Sequence, residues 1–128
     1  MLSGFFFDIQ SFTVDNLELE QQNCHAIVSL NNSHPIFLGH FPGNPVVPGV
    51  CQVQMVKELV EKAVLHRLNL TASDNVKFLS MISPQVNPQL EFNILIKPVH
   101  DQQISVTASI GSGPSLFFKF KGKFEPAG

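Results

Sequence analysis

The chain has 128 residues, the size of one domain, and its 44% hydrophobic content is enough to bury an ordinary core. Only 14% of residues are charged and the net charge is −2, which excludes the basic footprint of a nucleic-acid-binding protein. Twelve phenylalanines stand with no Trp or Tyr, bulk that suits an apolar core or an acyl-chain pocket, and two cysteines are too few for a disulfide scaffold.

The N-terminus, MLSGFFFDIQSF, has no Lys or Arg before an apolar run that Asp8 interrupts, so it makes a poor signal peptide. No run reaches the ~20 apolar residues needed to span a bilayer, and a cytoplasmic location without a membrane partner is expected. Residues 5 to 14 (FFFDIQSFTV) are rich in Phe and β-branched residues and predict a first strand, closed by a turn at Asp15-Asn16. A second strand is predicted over Gln22–Leu30, where His25, Ile27 and Ser29 alternate with Cys24, Ala26, Val28 and Leu30. Asn31-Asn32-Ser33 ends it.

The stretch from Gly39 to Gln54, GHFPGNPVVPGVCQVQ, is the most constrained in the chain. Pro42, Pro45 and Pro48 each fix φ, remove a backbone donor and push the preceding residue out of the α region, so residues 40 to 48 cannot be helical. At Pro48-Gly49 the restriction ends and an apolar-rich run begins. The pattern predicts a stiff loop carrying His40 that feeds a helix from Gly49 to about Leu68. Gly49 leaves its amide unshielded at the positive end of that helix, beside a titratable imidazole, an arrangement suited to polarising a carbonyl. On the helix, Val53, Val56, Leu59, Val60, Ala63 and Val64 form one apolar arc, with Gln54, Lys57, Glu58 and Glu61 opposite.

Beyond the helix the period changes to two. Leu90, Phe92, Ile94 and Ile96 form one row, Ile104, Val106, Ala108 and Ile110 a second, and Phe118, Phe120 and Phe124 a third, which Gly122 interrupts. Pro98 to Asp101 and Gly111 to Pro114 read as turns. The order is β-β-loop-helix-β-β-β-β, one α+β domain over residues 1–128, with antiparallel meanders the expected topology.

HFPGNPVVPGV resembles the signature of the β-hydroxyacyl-(acyl carrier protein) dehydratases, and Val76–Gln89 (VKFLSMISPQVNPQ) is similar to that family's strand-Pro-x-x-Pro/Gly segment. The resemblance implies a hotdog fold, an antiparallel sheet wrapped around one long central helix, in a homodimer. It further implies a substrate carried as a thioester of acyl carrier protein or coenzyme A, water elimination to the enoyl thioester, and no metal or redox cofactor. His40 is then the base, Gly49 the oxyanion amide, and Phe41, Pro48 and Val50 bind substrate. His40 is expected to approach Gln54 of the other subunit. One departure stands out: where the family carries a catalytic Glu or Asp, fourteen residues after the histidine, this chain has Gln54, which can hydrogen-bond a hydroxyl or a water but cannot titrate.

Two mechanisms follow from that departure. Either His40 makes both proton transfers while Gln54 positions a hydroxyl or water, or the chain binds acyl groups with little catalysis; a thioesterase on the same fold is a third reading. Pro42, Gly43, Pro45 and Pro48 act as scaffold for His40, whose bland alternative is a loop tie. Glu58, one turn after Gln54 on the same stripe, is a candidate substitute for the missing acid, but Glu58 and Glu61 are more simply expected on a solvated face with Lys57 and Lys62 as helix partners. Cys51, in the helix's first turn, sketches a thiol hydrolase but is more simply a buried apolar residue. Lys119, Lys121 and Lys123 read as a strand's solvated outer face, or as a surface for an acidic carrier protein. His25, His34, His66 and His100 lack metal-ligand spacing.

Overall fold

Alternation at period two gives most of the strands one apolar face, and in the computed structural model, which describes residues 2 to 39 and 45 to 128, these faces line one side of a single sheet. The elements in order are β1 (Phe7–Asn16), a 3-10 turn (Glu18–Glu20), β2 (Gln22–Leu30), a short helix α1 (Ile36–Gly39) and the long helix α2 (Gly49–Val64). After it come β3 (Leu68–Phe78), β4 (Gln89–Pro98), β5 (Ile104–Ser112) and β6 (Ser115–Pro126). Cys24, Ala26, Val28 and Leu30 of β2, the Leu90 row of β4, Val106, Ala108 and Ile110 of β5, and Phe118, Phe120 and Phe124 of β6 are all buried. Met55, Val56, Leu59 and Val60 of α2 close the core from the other side. This is the hotdog arrangement, helix against antiparallel sheet.

The topology departs from a simple meander. The six strands run β1-β2-β4-β5-β6-β3, all pairs antiparallel. β1 and β2 form one hairpin and β4, β5 and β6 a run of two more; β4 returns beside β2, with Gln22 opposite Ile96 and Ser29 opposite Gln89. β3 crosses to the far edge and pairs with β6 from Leu68 opposite Pro126 to Phe78 opposite Phe118. Short connections made sequential pairing the simplest expectation. The long α2 crossover instead delivers β3 to the distant edge, and the loop from Leu79 to Pro88 brings the chain back.

α2 also ends earlier than its periodicity predicts, at Val64 rather than near Leu68. Leu65 takes left-handed backbone (φ 58°) and its N–H donates to the Glu61 carbonyl, closing the helix. The Leu68 N–H donates to Glu61 Oε2 at 2.8 Å and Arg67 accepts from the Ala127 N–H at 2.9 Å, while Leu68 stands opposite Pro126, so the chain already runs beside β6 here. Gly122, which breaks the Phe row, marks where β3 bulges against β6. A Cβ there would lie 2.6 Å from the Ala72 carbonyl oxygen and 2.5 Å from the Phe120 ring.

Candidate functional site

The loop that enters α2 is held from two directions. The Val47 N–H donates to the Ile82 carbonyl at 2.8 Å, and the Val47 carbonyl accepts from Gln52 Nε2 at 3.2 Å. Pro45 and Val47 are buried, while the Pro48 carbonyl accepts the first helical N–H groups, from Cys51 at 3.0 Å and Gln52 at 3.2 Å. Pro48 is the N-cap residue, extended at φ −61° and ψ 148°, as a residue just outside the helix should be. This anchoring fixes where the loop meets the helix. His40, Phe41, Pro42 and Gly43, assigned above to catalysis, substrate binding and scaffold, lie outside the described residues.

At Gly49 no acceptor among the described residues takes the N–H, which lies in the first turn of a sixteen-residue helix. A Cβ at Gly49 would stand 2.7 Å from Phe78 Cζ, so a side chain here would have to displace that ring, which is itself 55% exposed. The tight packing and an available amide coexist. Val50 points outward and is exposed, and Pro48 is half-buried.

Gln54 lies further along α2, half-buried, with Nε2 2.9 Å from Glu58 Oε2. Glu58 does not occupy a solvated face. It is only 7% exposed, and its carboxylate also accepts the Leu2 N–H at 2.8 Å and the Ser3 N–H at 2.9 Å. The N-terminal segment has folded over this turn of the helix and turned a nominally polar stripe inward. Glu61 likewise serves the backbone of Leu68, and Lys62 stands 5.4 Å from the centroid of the Phe12 ring. The expected helix-surface pairs with Lys57 and Lys62 therefore do not form among the described residues. Gln54, Glu58, Lys57, Ser3 and His66 line an open cleft of about 810 Å³.

Other groups fall away from the chemistry. Burial pushes the Cys51 thiol above its ordinary value, which opposes the thiolate a thiol hydrolase needs. Cys24 is pushed up to about 11 by burial and, secondarily, by the negative Asp15. His34 Nδ1 accepts the Ile36 N–H at 3.1 Å and its ring meets Phe6 edge-on, a structural role. His25 pairs with Glu91 at 3.0 Å across the outer face of the β2–β4 ladder. Among the described residues no group of three or more His, Cys, Asp or Glu is placed to hold a metal ion. Sequence reasoning missed the burial of Glu58 and the roles of Ile82 and Phe78. Only the four-residue spacing of Gln54 and Glu58 signalled any of these in advance.

Comparison with known proteins bears on the family and the fold. Residues 16–123 match the family described as ApeI-like, ApeI dehydratase. The 3-hydroxyacyl-(acyl-carrier-protein) dehydratase FabZ of Wolbachia pipientis wMel is 32% identical over 79 residues, covering 54% of this chain and 53% of the relative. The chain thus spans about half the length of the curated relatives it matches. An uncharacterized protein from Erwinia carotovora subsp. atroseptica superposes with a TM-score of 0.67 at 20% identity, over 93% of this chain and 94% of that one. The dehydratase heterocomplex ApeI:P from Xenorhabdus doucetiae gives 0.58 at 17% identity, over 86% and 97%. At these identities the two structures speak to the fold.

Proposed function

The chain belongs to the ApeI-like dehydratase family, and from that premise we propose that it removes water from 3-hydroxyacyl thioesters of acyl carrier protein or coenzyme A. The product is the trans-2-enoyl thioester of fatty-acid or related acyl-chain biosynthesis. The observation that carries the reading is the helix entrance at Pro48-Gly49. It is pinned by Ile82 and Gln52 and leaves the Gly49 N–H without an acceptor among the described residues. In the proposed step His40 takes the proton from C2, and the C–H electron pair becomes the C2=C3 double bond. Charge gathering on the thioester oxygen is met by the Gly49 N–H and the α2 dipole. The C3–O bond breaks, and the departing hydroxyl, held by Gln54, receives the proton from His40 and leaves as water. Phe41, Pro48 and Val50 flank the acyl thioester in this reading. No metal or redox cofactor takes part, and the reading keeps one domain in the cytoplasm; no helix among the described residues is long and apolar enough to cross a membrane.

Gln54 in the family's carboxylate position favours a second reading, an acyl-binding subunit with little turnover. Incubation with 3-hydroxyacyl thioesters separates the readings through enoyl absorbance and free thiol. Enoyl product without thiol is the expected result; thiol release would make the protein a thioesterase, and binding with neither product a non-catalytic subunit.

The proposal includes a homodimer. Gly49 and Gln54 lie about 140° apart around one helix, so a single copy presents them to different sides. β3 is an edge strand, and Phe78, Leu79 and Met81 at and just beyond its end are exposed. Pairing of two β3 edges continues the sheet and brings each loop towards the other subunit's helix. Sedimentation at micromolar concentration is expected to give twice the chain mass of 14.2 kDa; a mass near 14.2 kDa would refute the shared site.

A further inference from the structure

We propose that Glu58 is a positioning residue, whose carboxylate locks the Gln54 amide so that Oε1 faces the cleft and Nε2 faces away. The inference rests on the dehydratase reading above and adds what sets the polarity of the side chain that holds the departing hydroxyl. The two orientations of a glutamine amide have nearly the same shape, so a neighbour must choose between them. Here the neighbour is Glu58 Oε2, 2.9 Å from Gln54 Nε2. Reversing the amide would set two acceptors against each other at that distance and forfeit a bond to a charged group.

Glu58 is itself immobilised. It lies one turn after Gln54 on α2, almost wholly buried, with Oε1 accepting the Ser3 N–H and Oε2 accepting the Leu2 N–H as well as the Gln54 amide. Three N–H donors converge on it, and none of them can accept. Gln54 Oε1 is left with no donor among the described residues, and Gln54 lines the cleft. An acceptor there takes the O–H of a substrate hydroxyl and turns that oxygen's lone pair towards the proton arriving from His40. A donor there would occupy one of that oxygen's two lone pairs and leave its O–H without an acceptor. The chain thus makes an uncharged residue do part of the work of a carboxylate, by placing the carboxylate one turn further on.

The test uses the full chain as wild type, Glu58→Gln, Gln54→Glu and the double exchange Gln54→Glu/Glu58→Gln. Turnover is measured on 3-hydroxybutyryl-coenzyme A, and hydrogen exchange of the Gln54 side-chain amide is followed by NMR in the wild type and Glu58→Gln. Glu58→Gln leaves the amide free to reverse, and kcat is expected to fall roughly 10- to 100-fold with KM within about two-fold. Gln54→Glu sets two carboxylates side by side and is expected to be impaired too. The double exchange restores one acceptor facing one amide donor and is expected to recover kcat to within a few-fold of wild type or above it. Two results overturn the inference. One is a Glu58→Gln enzyme with unchanged kcat and unchanged amide exchange. The other is a double variant no better than Glu58→Gln with the same fall in melting temperature, the mark of a purely structural tie. A wild type without turnover whose Gln54 amide is protected only when Glu58 is present would overturn the dehydratase reading and leave the amide lock standing.

Discussion

Replacing His40 with alanine is expected to lower turnover of 3-hydroxyacyl thioesters by about 10²–10⁴, the contribution of one general acid–base group, while the fold is retained. The effect should be this large because the proposed site contains no second titrating group at the position where the family carries its carboxylate. His40 must both remove the C2 proton and return it to the hydroxyl, since Gln54 can do neither. Among the described residues the loop is anchored where it meets α2: Pro45 and Val47 are buried and Val47 is bonded to Ile82 and Gln52. Circular dichroism and a melting curve alongside the assay decide the meaning. Full activity would remove His40 from the mechanism, and a lost fold would make it a structural tie.

The largest expected loss of stability comes from Phe92→Ala, about 3–5 kcal/mol. Phe92 is completely buried on β4, facing Ala26 of β2 on one side and Ile110 of β5 on the other, beneath α2. Alanine opposite alanine across the β2–β4 ladder leaves a void in the core beneath α2. Against a total stability of about 5–15 kcal/mol, that loss brings the domain close to unfolding. Phe5, 68% exposed, is the internal control, and its replacement by alanine should cost about 0.5 kcal/mol or less. Urea midpoints of the two variants provide the comparison. Similar losses for both would contradict the assignment of the inner face.

Sequence by itself determined the elements whose signal is local. The alternation over Gln22–Leu30 marks β2 residue for residue, and the rows of β4, β5 and β6 face inward as read, because side chains on a strand must alternate whatever lies beside it. Pro48-Gly49 marks the start of α2 correctly, because proline's fixed φ and missing N–H act within one residue of themselves. Gly49 and Gln54, the residues proposed for the site, are singled out by their place on that constrained stretch and by the family resemblance it carries. Tertiary structure decided the rest. Leu68–Phe78 has no alternation to read and is a strand because β6 pairs with it, forty or more positions along the chain. The same pairing ends α2 at Val64, overriding a periodicity that would continue it. The burial of Glu58 was out of reach altogether. A helical wheel places it on the polar stripe, and only the fold brings the Leu2 and Ser3 amides, 56 and 55 residues away in sequence, onto its carboxylate. Periodicity reports which face a residue occupies; what covers that face depends on long-range packing, and so does the chemistry of a buried charge.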